Sequence, residues 1–130
     1  MTKKSFYICG MKKLSEKEEQ IMQIVWRMER AFVKDILDAL EEPKPPVTTI
    51  SSIVRKLESE GWLGYESFGK THRYFPLVQR EDYLKASFRH LLQDYFDGSP
   101  RQLLSFFVEE QQPDPEEIAH LLEAIKRKQG

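Results

Sequence analysis

Residues Pro46 to Pro76 read PVTTISSIVRKLESEGWLGYESFGKTHRYFP. In the first part of this stretch Ile50, Ile53, Val54 and Leu57 recur at helical spacing, which leaves Thr48, Thr49, Ser52, Arg55 and Lys56 on the opposite, outer face. Small hydroxyls let a helix approach base edges and phosphates closely, and two cations one turn further on supply donors. That face has the size and chemistry to enter a DNA major groove. Gly61 marks the helix end. The β-rich run Trp62–Glu66, a turn at Ser67-Phe68-Gly69-Lys70 and a return strand Thr71–Pro76 then predict a tight hairpin. A helix followed by such a hairpin predicts a winged helix-turn-helix, with the hairpin as the wing.

Upstream, Ser15 with Glu18 three residues later forms a capping box, opening a first helix with buried face Ile21, Met22, Ile24, Val25 and Met28 that ends near Arg30. Val33 opens a short second helix with Ile36, Leu37 and Leu40 inward. The prolines of Glu42-Pro43-Lys44-Pro45-Pro46 break it. Downstream from Glu81 the pattern is helical again, with a stripe of Tyr83, Leu84, Phe88, Leu91, Leu92, Tyr95 and Phe96. Asp97-Gly98-Ser99-Pro100 interrupts it, and Ser99 caps a helix carrying Leu103, Leu104, Phe107 and Val108. Asp114 and Pro115 start a last helix with Ile118, Leu121, Leu122 and Ile125. Trp26 and Trp62 read as core or domain-seam aromatics. The expected fold is mainly α: a flexible N-terminal arm over residues 1–12, a winged-helix DNA-binding domain of three helices plus a β-hairpin over 13–79, and a helical dimerisation domain over 80–130.

The last three helices hold more large apolar side chains than so small a module can bury alone. Leu84, Phe88, Leu91, Leu92, Tyr95, Phe96, Leu103, Leu104, Phe106, Phe107, Leu121 and Leu122 would leave exposed patches on a single chain, which soluble proteins seldom tolerate. Self-association into a two-fold dimer is the simplest remedy. It would present two recognition helices, so the DNA partner is expected to be a pseudo-palindromic operator with half-sites about one helical turn or more apart.

The formal charge of −1 conceals an asymmetry: residues 1–79 hold 13 Lys+Arg against 11 Asp+Glu, and residues 80–130 hold 7 against 10. The basic excess lies with the groove-reading helix, where local cation density matters more than totals. A single cysteine, Cys9, excludes an internal disulfide framework and a cysteine-rich metal site. His72, His90 and His120 lack metal-ligand spacing. No activated nucleophile, phosphate loop or paired catalytic carboxylates stand out, so neither an enzyme nor a cofactor is expected. No apolar run approaches the ~20 residues that cross a bilayer, so no membrane insertion is expected and the cytoplasm is the expected compartment. The main rival reading is a winged-helix protein–protein adaptor that does not bind DNA. A ligand-gated regulator ranks lower, because the short C-terminal helices leave little room for a pocket of the usual ~300 Å³ or more.

Beyond these patterns, Leu14-Ser15 to Val25-Trp26, the stretch from Thr48-Thr49-Ile50 through Leu57-Glu58 and Gly61, and Gly69-Lys70-Thr71-His72-Arg73-Tyr74-Phe75-Pro76-Leu77-Val78 resemble the penicillinase-repressor (BlaI/MecI) family of bacterial transcription regulators. The resemblance spans roughly Lys13 to Lys126. It implies a winged-helix homodimer on a dyad operator, repressing genes typically of β-lactam resistance. It implies DNA contacts at Thr48, Thr49, Ser52, Arg55 and Lys56, with Lys70 and Arg73 contributed by the wing. It also implies release by proteolysis in the second dimerisation helix, triggered by a membrane-bound sensor metalloprotease. The best-known members are cut at an Asn-Phe bond; here the pair is Ser105-Phe106, with the aromatic retained and the Asn not. The C-terminal cysteine cluster of the family's copper-responsive branch is missing.

Overall fold

A computed structural model describes residues 7–8 and 11–129. Cys9 and most of the expected arm lie outside the described residues; within that arm, β1 (Tyr7–Ile8) pairs antiparallel with β2 (Met11–Lys12). Then follow α1 (Glu16–Met28), β3 (Ala31–Phe32), α2 (Val33–Ala39), α3 (Val47–Ser59), β4 (Leu63–Phe68), β5 (Thr71–Pro76), α4 (Arg80–Phe96), α5 (Pro100–Gln111) and α6 (Pro115–Gln129). The chain divides into two compact units, residues 1–88 and 89–130.

In the first unit the expected helices form for the expected reasons. The Glu18 amide donates to Ser15 Oγ at 3.2 Å and the Ser15 amide donates to Glu18 Oε1 at 2.9 Å, completing the capping box of α1. The carbonyls of Leu37, Asp38 and Leu40 accept from Lys44 Nζ, tying down the end of α2 before the prolines. After α3, Gly61 adopts φ +90°, and its amide reaches the Glu58 carbonyl while the Trp62 amide reaches that of Leu57. This is the paired closure in which a left-handed residue is required, and it turns the chain directly into the wing.

The core is built from Ile21, Met22 and Val25 of α1, Ile36 of α2, Ile50, Val54 and Leu57 of α3, and Trp62, Leu63 and Tyr74 of the hairpin. Four details differ from the sequence expectation. Met28 lies exposed at the end of α1. A third strand, β3, pairs Ala31 with Tyr74 and Phe32 with Arg73, so the wing belongs to a sheet of order β3-β5-β4. The hairpin turn is the two residues Gly69-Lys70 alone, with Phe68 opposite Thr71 in register; Ser67 and Phe68 are strand. Gly69 has φ +60° and Lys70 does not share a positive φ, which fits the two-residue turn with glycine at its first central position.

Tyr83, read as part of the C-terminal stripe, is instead buried in the first unit. Its ring lies 5.8 Å from Trp26 and 5.5 Å from Trp62, its hydroxyl accepts from the Leu14 amide at 3.4 Å, and Trp26 Nε1 donates to the Val78 carbonyl at 2.9 Å. The first half of α4 is thus keyed into the winged-helix core. Burial raises the Tyr83 phenol above its usual 10.0, with bonds from Leu14 and Ser87 offsetting part of the rise. A raised phenol pKa favours the neutral folded form: this stabilisation is complete below about pH 10 and is lost as pH rises through the folded value. Tyr83→Phe is therefore expected to flatten the alkaline fall in melting temperature, readable in thermal scans between about pH 8 and 11. A curve as steep as that of the unaltered protein would contradict the assignment.

In the second unit, Ser99 Oγ accepts from the Gln102 amide at 3.1 Å to start α5, and Asp114 stands at the start of α6, as the sequence suggests. Among the described residues no helix is long and apolar enough to cross a membrane, and no three His, Cys, Asp or Glu side chains are grouped to hold a metal ion.

Candidate nucleic-acid interface

Helix α3 presents its faces in the order the spacing requires. Thr48, Ser52 and Arg55 lie exposed on one stripe, four and three residues apart, while Ile50, Val54 and Leu57 are buried beneath. Thr49 is half-buried beside them, on the side toward α1. No acidic residue occupies the first turn of α3 and no side chain caps it, so the positive end of the helix dipole carries no competing anion.

Between α3, the start of α2 and the wing runs an open groove of about 600 Å³. Val47, Ser51 and Arg55 line it from α3, Lys34 and Asp35 from α2, and Lys70, Thr71 and His72 from the hairpin. Arg55 and Lys70, distant in sequence, therefore share one depression. Lys34 joins them, and the sequence reading missed it. Its only signal was its place one residue after the first residue of α2, which carries meaning once that end of the helix is known to face the wing. Asp35 is the one carboxylate of the lining, held at the start of α2 where it accepts the Phe32 amide at 2.9 Å, so the cations outnumber it three to one. Burial raises the Tyr74 phenol, as does Glu58, and Arg55 pulls it back. His72 stacks on Tyr65 with centroids 4.1 Å apart.

Two of the expected contacts have partners within the chain. Arg73 points across the strands, donating from Nε and Nη2 to Glu66 Oε1 at 3.2 and 2.9 Å with its guanidinium 4.8 Å from the Phe68 ring centre. Arg30 approaches the same carboxylate at 3.9 Å and covers Phe75. The cause is strand alternation: Arg73 opposes Glu66 in register, on the face away from Tyr74. Lys56 is engaged too, its Nζ 2.9 Å from Glu18 Oε2.

The expected dimerisation residues are largely uncovered. Leu84 and Phe88 on the first half of α4 are exposed, as are Leu91 and Tyr95 further along, with Leu92 half-buried. No residue of α5 is buried: Leu104 and Phe107 are exposed and Leu103 half-buried. Leu121 and Leu122 of α6 are exposed. Ser105 and Phe106 are exposed in the middle of α5, the Phe106 ring 5.5 Å from that of Phe96.

Three helices, a three-stranded sheet with a tight hairpin, and a hydroxyl-and-arginine helix face beside a basic groove define a winged-helix module of the kind that docks on double-stranded DNA. The chain matches the penicillinase repressor family over residues 14–127 and belongs to it. It is similar to the methicillin resistance regulatory protein MecI of Staphylococcus aureus (strain N315), 22% identical over 116 residues, 88% of this chain and 94% of that protein. It is similar also to the penicillinase repressor of Bacillus licheniformis, 22% identical over 114 residues, 87% of this chain and 89% of the relative. The MecI of Mammaliicoccus sciuri matches to the same extent as the first. The chain is accordingly a transcriptional repressor, and its family is one of regulators rather than enzymes.

Proposed function

We propose that two copies of this chain clasp through α4, α5 and α6 and place their α3 helices in successive major-groove faces of a pseudo-palindromic operator, repressing by occluding the promoter. The observation that carries the DNA-binding half is the convergence of Arg55 on α3 and Lys70 on the wing in one groove beside exposed Thr48 and Ser52. In this reading Thr48, Thr49, Ser52 and Arg55 face base edges and adjacent phosphates, and Lys70 and Lys34 hold the backbone strand. Arg73 supports the wing from behind. The dimer half is supported by the run of exposed Leu104, Phe106, Phe107 and Val108 on α5 and Leu121, Leu122 and Ile125 on α6.

Repression then ends when the dimer is lost, since a single half-site contact forfeits the avidity of two. Cleavage near Ser105-Phe106 in α5 by a membrane-bound sensor metalloprotease would suffice, and the relatives' names point to genes of β-lactam resistance. The repressor would act where the chromosome is, in the cytoplasm. The direct test is fluorescence anisotropy with duplex from the region upstream of its own gene, titrated with salt. Neutralising several phosphates on each half-site predicts a log–log slope of about −0.9 per phosphate. A protein–protein adaptor would show little DNA binding at any salt, and that result would overturn the proposal.

A further inference from the structure

We propose that Lys56 is a positioning residue, which locks the recognition helix onto the N-terminus of α1, rather than a contact to DNA; this rests on the operator-reading role of α3 given above. Lys56 follows Thr49 and Ile53 at helical spacing, one face round from Thr48, Ser52 and Arg55. Ile53 packs against the core and Thr49 lines the depression shared with Lys17, Gln20 and Ile21 of α1, so this face forms the seam between α3 and α1. Along that seam Lys56 Nζ reaches Glu18 Oε2 at 2.9 Å. The Glu18 side chain is only 5% exposed, and its other oxygen accepts the Ser15 amide at 2.9 Å. One carboxylate therefore ties the first turn of α1 to the last turn of α3, with its orientation set from both sides.

A pair held this way has a definite geometry, and although the Lys56 side chain is 53% exposed, taking it away leaves the Glu18 carboxylate without its cation in a poorly solvated place. The bond fixes the axial position and roll of α3 against α1. Those two quantities decide whether Thr48, Ser52 and Arg55 meet base edges in register with Lys70 on the wing. An ammonium committed to Glu18 adds little to the count of neutralised phosphates.

Operator affinity over a salt series, measured for the unaltered protein and the variants Arg55→Ala, Lys56→Met and Glu18→Gln, separates the roles. Positioning predicts that Lys56→Met and Glu18→Gln each weaken binding about tenfold with the salt slope unchanged, while Arg55→Ala lowers the slope by about 0.9. Glu18→Gln is the decisive variant, because deleting a negative charge would tighten DNA binding if electrostatics alone were at work. Tighter binding by Glu18→Gln, or a slope reduced by about 0.9 in Lys56→Met, overturns the proposal. A double-mutant cycle between the two positions in urea unfolding, without DNA, tests the bond itself: coupling of about fivefold or more in the folding equilibrium is expected, and additivity overturns it. Intact coupling in a protein whose unaltered form binds no upstream duplex would refute the operator reading instead, and the positioning role with it.

Discussion

Replacing Arg55 with alanine is expected to weaken operator binding by about 1–3 kcal/mol, a factor of roughly five to 150, with the dimer untouched. Arg55 is exposed, has no ion-pair partner among the described residues, and stands where the Thr48–Ser52 stripe meets the groove containing Lys70. A planar guanidinium in that position can serve a guanine edge or a phosphate bidentately, which lysine cannot reproduce. Alanine keeps the helix, as its intrinsic preference for that conformation is the highest of any residue, so folding stability should change little. Anisotropy titrations beside sedimentation of the same samples check both halves of the expectation. Affinity within twofold of the unaltered protein would remove Arg55 from the interface. Loss of affinity accompanied by dissociation of the dimer would mean that α3 contributes to assembly rather than to recognition.

That Arg55 and Lys56 part company illustrates where sequence pattern stops being informative. Periodicity places α3 well, because Ile50, Val54 and Leu57 must all face inward, and capping chemistry places its C-terminal end, because Gly61 takes the left-handed turn. Both are local effects. The two neighbouring cations differ only in what lies opposite them: for Lys56 it is a carboxylate on α1, far away in the chain, and for Arg55 it is an open groove. Spacing within one helix holds no information about that difference.

The wing repeats the lesson. Its two long strands are marked by aromatic and β-branched residues, yet β3 is two residues long, too short for any alternation to register. It exists because β5 offers an unpaired edge at Arg73 and Tyr74. Arg73 is a wing cation by position and a partner of Glu66 by register, and only the register decides which. Tyr83 belongs by spacing to the apolar stripe of α4, while the gap between Trp26 and Trp62 claims it for the core of the first unit. The exposed residues of α5 and α6 were apparent from composition, since apolar content in excess of what a small module can cover needs no fold to be noticed.

Phe107→Asp should have the largest effect of all on repression. Phe107 lies on α5, a helix without a single buried residue, and is 41% exposed in the isolated chain. A carboxylate there meets water in one chain and costs little. In a clasped pair it would be taken out of water against apolar side chains, a placement that costs several kcal/mol unless a cation answers it. The variant is expected to sediment as a single chain at micromolar concentration while the winged-helix core keeps its structure, since the packing around Ile21, Val54 and Leu57 does not involve α5. Operator affinity should then fall by ~10² to 10⁴, the avidity lost when two half-site contacts are no longer linked. On the proposed mechanism a cut at Ser105 would act through the same loss, and the variant would then mimic the induced state without a protease. If Phe107→Asp still sediments as a dimer, α5 does not form the clasp, and a break at Ser105-Phe106 would have no route to the operator.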